Sequence, residues 1–321
     1  MYRILASLTL FVFLGSLGAA AAQAEPFSLK EKNDRTIVVS DGEKQVLAYN
    51  FGETVCKKLK KTDHRRTRGC YIHPLWDLEG KEVLTDDYPR DHRHHHGIFW
   101  TWPHVVIDGE HYNLWIDDGK INDKFVRWIK KEATEDGAVL AVENGWFVDD
   151  KKVMKEEVKI KVHPATEDGR PIDLDLTFTP IDKPITLRGA DRKSYGGLTV
   201  RFLVKPVTKS EIRTVKGLTK KDLPDTRLEW VDLMRKPTED GKITGGGAAV
   251  FISPDHPDYP PTWLTRHYGP LCVGYPGVNE KTFEPGTPFT LSYRIFVHDK
   301  TFEAEKLGEL YDAYKKEVSQ K

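Results

Sequence analysis

The chain of 321 residues carries 49 Lys plus Arg against 49 Asp plus Glu, so it has no basic excess with which to neutralise phosphates, and nucleic acid is excluded as the expected partner. Charged residues at 31% and aromatic residues at 11% describe a folding chain with a polar surface rather than a disordered one.

The first residues read as a secretory signal: Arg3 supplies positive charge, residues 4–17 are apolar, and small residues lead to Ala22-Gln23-Ala24. This order predicts a signal peptide over residues 1–24 and a mature chain, residues 25–321, that is periplasmic or secreted and forms a single β-sandwich domain. No later segment reaches the apolar length of a bilayer span, so no membrane contact is expected after cleavage. Cys56, Cys70 and Cys272 follow. In an oxidising compartment Cys56 and Cys70 are expected to pair around the basic stretch 57–68, whereas Cys272, between Leu271 and Val273, reads as a small buried apolar residue.

Residues 71–102 hold His73, His92, His94, His95 and His96, five of the twelve histidines. As an extended segment, residues 92–96 would place His92, His94 and His96 on one face and His95 on the other. Such an H-x-H pair supplies two ligands for a divalent ion; His73, Glu157 or His267 could complete the set. The same imidazoles suit proton transfer near neutral pH, with Asp91 or Glu157 to orient them. The run Phe99-Trp100-Thr101-Trp102 offers aromatic faces for stacking against a sugar.

Beyond this point the period is two. Residues 158–162, 172–179 and 289–295 alternate apolar and polar residues, the signature of antiparallel strands with one wet face. Turn pairs separate them: Asp41-Gly42, Asp108-Gly109, Asp118-Gly119, Asp136-Gly137, Asp168-Gly169, Asp240-Gly241 and Pro285-Gly286. The expected fold is an all-β, large antiparallel sandwich. Arg201, at the end of Tyr195-Gly196-Gly197-Leu198-Thr199-Val200-Arg201, and Trp263, Arg266, His267 and Tyr268, in a proline-stiffened loop, are candidate substrate-binding residues. At the end, Leu307, Leu310, Tyr311, Tyr314 and Val318 share a face at helical spacing, predicting an amphipathic helix over 302–319 that caps a sheet. There is no GxSxG elbow, HExxH pair, Walker loop or dinucleotide fingerprint, which removes those enzyme classes.

The segments Tyr71-Ile72-His73-Pro74-Leu75, residues 89–98 with Asp91-His92-Arg93-His94-His95-His96-Gly97, Gly196 to Arg201, Trp230-Val231-Asp232 and residues 261–269 together resemble a bacterial family that carries the label "methane oxygenase PmoA". The likeness covers nearly all of the mature chain and departs from the family at Cys56, Cys70 and His96. The label itself implies a helical membrane subunit, which a chain with no membrane-length segment after its signal does not match. The resemblance implies instead a sandwich similar to the galactose-mutarotase-like supersandwich, exported by glycan-degrading bacteria, with a His acid and a carboxylate or Tyr base.

The sequence therefore predicts a carbohydrate-active enzyme of hydrolase, lyase or epimerase type. His92 and His95 are its acid–base groups, Asp91 and Glu157 the carboxylates, and Arg201, Arg266, Trp100, Trp263, Tyr268 and His267 bind a sugar or other small-molecule substrate. The alternatives are a hydrolase or oxidoreductase with a divalent ion on His73, His92 and His94, or a glycan-binding protein without catalysis.

Overall fold

A computed structural model describes residues 26–204, 210–236 and 246–320. The alternation read along 172–179 becomes the strand Arg170–Pro180, in which Ile172, Leu174, Leu176 and Phe178 enter the core. Repeated along the chain, that pattern builds two nine-stranded sheets whose neighbours all run antiparallel. The first sheet takes Phe27–Asn33, Thr36–Asp41, Lys44–Asn50, Tyr71–Leu75, Ile98–Thr101, Gly197–Arg201, Pro270–Gly274, Thr262–Thr265 and Thr226–Arg227 in spatial order. The second takes Ile121–Thr134, Gly137–Val148, Lys151–Val162, Arg170–Pro180, Phe289–His298, Gly246–Ile252, Trp230–Arg235, Ser210–Thr214 and Gly217–Thr219.

One face of each sheet contributes to a shared core. Tyr49, Ile72, Trp100, Val200 and Val273 of the first sheet belong to the same buried cluster as Trp146, Val158, Leu174, Val250 and Ile295 of the second. The fold is the expected antiparallel sandwich with a C-terminal helix. Asp108-Gly109 shows why the turn pairs were informative: both residues have positive φ, 53° and 82°, closing the two-residue hairpin between His104–Ile107 and Glu110–Tyr112. Asp240-Gly241 and the expected signal segment lie outside the described residues.

The helix spans Ala304–Ser319, two residues shorter at its start than expected, because Phe302 packs with the core beneath it. Its Leu307, Tyr311 and Tyr314 bury against Trp230, Ala249, Phe251 and Phe296, sealing part of the second sheet's outer face. No helix among the described residues is long and apolar enough to cross a membrane.

The expected Cys56–Cys70 bond is not formed, and all three cysteines are free. Ladder register explains it. Thr54 lies opposite Arg68 and Val55 opposite Thr67, and the Cys56 N–H then donates to the Arg66 carbonyl. Cys70 is thus four positions along the ladder from Cys56's partner, about 13 Å at strand rise and beyond the roughly 7 Å a disulfide can bridge.

Candidate functional site

The histidine segment is a turn rather than an extended strand. The Asp91 side chain accepts the His92 N–H at 3.0 Å, and the His95 N–H donates to the His92 carbonyl at 2.9 Å. The turn brings three rings together: His92 and His95 stack at 4.6 Å, and His94 meets His95 edge-on at 4.8 Å. His96 leaves this group and turns towards Tyr71 and Tyr88, so the expected grouping of His92, His94 and His96 is corrected. Gly97 makes the turn compatible with the sheet, because a β-carbon there would overlap the Ile72 carbonyl oxygen and press on the His73 Cβ at 2.7 Å.

Strand parity supplies the floor. In Gly197–Arg201, Leu198 and Val200 enter the core, which leaves Thr199 and Arg201 on the outer face. Thr199 lies opposite Phe99 on one side and Cys272 on the other, and Cys272 lies opposite Leu264. On this row stands a hollow of about 250 Å³ lined by His92, His94, His95, Trp115, Tyr195, Arg266 and Tyr268, with Lys193 at its rim. Tyr268 is 40% exposed and lies parallel to the His92 ring at 5.5 Å, while the Arg201 guanidinium sits 5.0 Å from the Tyr268 ring centre. Gly269, at φ 130°, permits this crowding next to Phe202.

Arg201 is almost wholly buried, and its Nη2 donates to both oxygens of Asp91 at 2.9 Å. Asp91 in turn has its Oδ2 3.1 Å from His92 Nδ1. The result is a chain from guanidinium to carboxylate to imidazole that ends in the hollow. The remaining Arg201 nitrogens, Nε and Nη1, the buried His95 Nδ1 and His92 Nδ1 itself have no well-aligned hydrogen-bond partner among the described residues. The 3.1 Å approach of Asp91 to His92 Nδ1 is therefore a close charge contact, and the backbone N–H of His92 makes the hydrogen bond to Asp91.

The electrostatics follow from this packing. Burial works against an ionised Asp91, but hydrogen bonds from His92 and Arg201 and their charges outweigh it and hold the carboxyl below its usual range. Burial first, then the charges of His92 and His96, lowers His94 to about 4. His95 is pushed down strongly by burial, and the neighbouring His94 and Arg201 add to it. Both rings are therefore neutral at pH 7, each able to give and take one hydrogen bond.

Several expected members lie elsewhere. Trp100 and Trp263, 2% and 0% exposed, point into the core, and Trp263 Nε1 donates to the Leu228 carbonyl. His267 has both ring nitrogens engaged, Nδ1 with Asp222 at 2.8 Å and Nε2 with the Thr219 carbonyl at 3.1 Å. Glu157 sits on the second sheet paired with Lys155 at 2.8 Å. Its neighbour Glu156 is the buried one, taking hydrogen bonds from Asn144 and Trp146 at 2.9 Å, and burial raises it to about 7. The metal set is corrected as well: His73 is separated from His92 and His94, and no group of three or more His, Cys, Asp or Glu among the described residues is placed to hold an ion. Trp115 and Tyr195, with rings 4.4 Å apart, are the aromatic wall that the sequence reading missed.

Next to the hollow, on the same face of the same sheet, lies a groove of about 560 Å³ that reaches Tyr71, His73 and Asp87. Asp87 accepts from His96 Nδ1 at 2.7 Å and from the Tyr71 hydroxyl at 3.0 Å. Burial opposes its ionisation, yet these bonds and the nearby histidines keep Asp87 below its ordinary value. Burial also holds His96 below its ordinary value in spite of Asp87, so a neutral ring with its proton on Nδ1 is the state that satisfies the carboxylate.

The molecule is thus an antiparallel β-sandwich with a histidine-rich, aromatic-walled hollow on the outer face of its first sheet. The chain belongs to a family of unknown function, DUF6807, whose model matches residues 36–312. No curated protein is significantly similar in sequence. Among solved structures it is similar to a putative kojibiose phosphorylase from the human microbiome (10% identity, TM-score 0.39, 90% of this chain and 32% of that one). It is similar too to the heparan sulfate lyase HepC from Pedobacter heparinus (8% identity, TM-score 0.38, 88% and 36%). A protein from Synechocystis sp. PCC 6803 aligns over 87% of this chain and 97% of its own, at 9% identity and TM-score 0.37. The chain spans about a third of the length of the first two.

Proposed function

We propose that the protein is an exported enzyme that moves a proton on a carbohydrate substrate, with His92 as the general acid–base group. The observation that carries this reading is the Arg201–Asp91–His92 chain ending in the hollow. An imidazole becomes an efficient proton carrier when a fixed carboxylate orients it, and here the carboxylate is itself fixed by a buried guanidinium. The wall suits a sugar. Tyr268 and Trp115 present flat apolar surface, and the neutral His94 and His95 offer short polar contacts to hydroxyl groups.

No carboxylate is among the described residues lining this hollow, and Asp91 is committed to Arg201. Hydrolysis by a pair of carboxyl groups is therefore disfavoured relative to abstraction of a proton beside a carbonyl or carboxylate, the step shared by elimination and epimerisation. Lys193, and Arg266 through what its 3.4 Å pairing with Asp222 leaves free, add cations that can meet a uronate carboxylate. Export rests on the order of charge, apolar run and small residues over 1–24.

The test is turnover of size-graded oligogalacturonides and neutral oligosaccharides, scored for new unsaturated or epimerised products. His92→Ala is expected to lower kcat/KM by about 10²–10⁴ with little change in unfolding temperature. Unaltered turnover by that variant overturns the assignment, as does binding without product in the wild type.

A further inference from the structure

The groove beside the hollow is built on the same sheet face. Thr36, Ser40, Asn50, Tyr71 and His73 line it from adjacent strands, and the half-buried Trp76 forms part of its wall. Its polar groups are held in place. Thr36 Oγ1 donates to Asn50 Oδ1 at 2.9 Å, Asn50 Nδ2 donates to the His73 carbonyl at 2.8 Å, and the Tyr71 hydroxyl lies 2.8 Å from Thr54 Oγ1. His73 Nδ1 rests on Thr85 at 3.0 Å, while Nε2 has no partner among the described residues. Burial lowers His73, so this ring too is neutral at pH 7.

The groove and the hollow share no lining residue and are separated by a buried row of rings on the same sheet face. Ring-to-ring steps of 5.0 Å from Tyr71 to His96, 5.7 Å from His96 to Phe99 and 6.0 Å from Phe99 to His95 lead from one to the other. Pinned hydroxyl and amide groups with an indole at the wall, a short distance from a reaction hollow on the same sheet face, suit a chain of repeated polyhydroxylated units, which can cross the row of rings between them, better than a compact metabolite. A monosaccharide that filled the hollow of about 250 Å³ would leave the larger groove without an occupant.

We propose that the groove is a second sugar-binding stretch of the same site, so that the substrate is an oligosaccharide or polysaccharide lying across the outer face of the first sheet. This rests on the carbohydrate reading above and extends it from the reacting unit to its neighbours. Tyr71, fixed by Thr54 and Asp87, and Asn50, fixed by Thr36, are the positioning groups for those neighbours.

The experiment is calorimetric binding of oligogalacturonide, cello- and xylo-oligosaccharide ladders of two to six units to the mature protein. The variants are Ser40→Trp, which fills the groove from a partly exposed position, and Asn50→Ala, which removes an anchor. For the ladder that binds, affinity is expected to rise at least tenfold from two units to five. Ser40→Trp should abolish that rise while leaving disaccharide affinity within twofold, and Asn50→Ala should reduce it. A wild type with no length dependence overturns the groove assignment and leaves the hollow's reading intact, as does a length dependence that survives in both variants. Absence of binding by every ladder at every length overturns both.

Discussion

The outer faces of the two sheets use the same residue types to opposite ends. On the second sheet Asp173 accepts from Arg294 Nε at 2.6 Å and pairs with His163 at 2.8 Å, Arg294 also reaches Glu317 of the helix at 2.7 Å, and the Tyr314 ring lies over the guanidinium. On the first sheet Asp91 holds Arg201 and His92, but two Arg201 nitrogens and a buried nitrogen of His95 are left without partners beside an open hollow. Imidazole, guanidinium and carboxylate are thus no evidence of function by themselves. Cover does not separate the two clusters, since Asp173 and Tyr314 also line a hollow of about 250 Å³. What separates them is that Arg294, Asp173 and His163 complete one another's hydrogen bonds, whereas Arg201 and His95 keep nitrogens that a ligand can meet.

The comparison can be broken most forcefully in the helix-covered half. His298 Nε2 and Asp232 Oδ1 lie 2.8 Å apart with both side chains wholly buried. Replacing His298 with Ala strands a buried carboxylate and should cost about 3–5 kcal/mol, a fall in Tm on the order of 10 °C, with binding at the hollow unchanged below the transition. Burial opposes the charge on His298, but Asp232 raises the ring above its ordinary value. The pair's contribution is therefore complete below about pH 6.5 and fades as pH rises through that elevated value, which a pH series of Tm on wild type and variant would show. The second effect belongs to the open half. Arg201→Met frees Asp91, which is partly exposed, so stability should fall by only about 1–3 kcal/mol. Ligand binding or turnover should nevertheless drop at least tenfold, and Arg201→Lys should not restore it, because an ammonium can replace the Nη2 contact to Asp91 but not the additional Nε and Nη1 donors. A variant with wild-type activity would remove the Arg201–Asp91–His92 chain from the mechanism.

What could be read from sequence was local. The alternation in 172–179 and the helical spacing of Leu307, Tyr311 and Tyr314 each state a period that the backbone must obey, and both elements formed. Parity is visible in the same way, but which parity faces the core is not. Phe99 and Trp100 are adjacent on one strand, and only the second sheet decides that Trp100 is buried in the sandwich while Phe99 floors the site. Glu156 and Glu157 differ for the same reason. The turn at His92 depends on Gly97 passing close to Ile72 and on Arg201 seizing Asp91, contacts made across about 25 and 110 residues of chain. Trp115 and Asp87 had no distinguishing local signal at all: one is a tryptophan near an Asp-Gly turn, the other the second of two aspartates, and each acquires its place through tertiary contacts.

A smaller effect should separate the faces by pH in the opposite direction from His298. His94, lowered to about 4 chiefly by burial, is neutral in the fold and titrates near 6.5 when unfolded. Between those values the unfolded chain binds more protons, so stability is lost as pH falls from about 6.5 towards 4, with His95 acting in the same sense. Tm measured across that range should decline less steeply in His94→Gln than in the wild type. Equal slopes would mean that the ring is not desolvated as the hollow requires.

The smallest expected effect is the sharpest control on residue choice. Glu157 was as eligible as Asp91 on chemical grounds, being a carboxylate beside an alternating strand. Its side chain is 37% exposed and paired with Lys155 two residues away on the second sheet. An exposed pair of this kind contributes about 0–1 kcal/mol, and nothing connects it to the hollow. Glu157→Gln should therefore shift Tm by no more than about 2 °C and leave kcat/KM and the oligosaccharide length dependence unchanged. Asp91→Asn, which is close to isosteric, should lower kcat/KM at least tenfold at comparable stability, since it weakens both the Arg201 contact and the orientation of His92. If the two substitutions proved equally harmless, completeness of hydrogen bonding would have failed to pick out the working carboxylate.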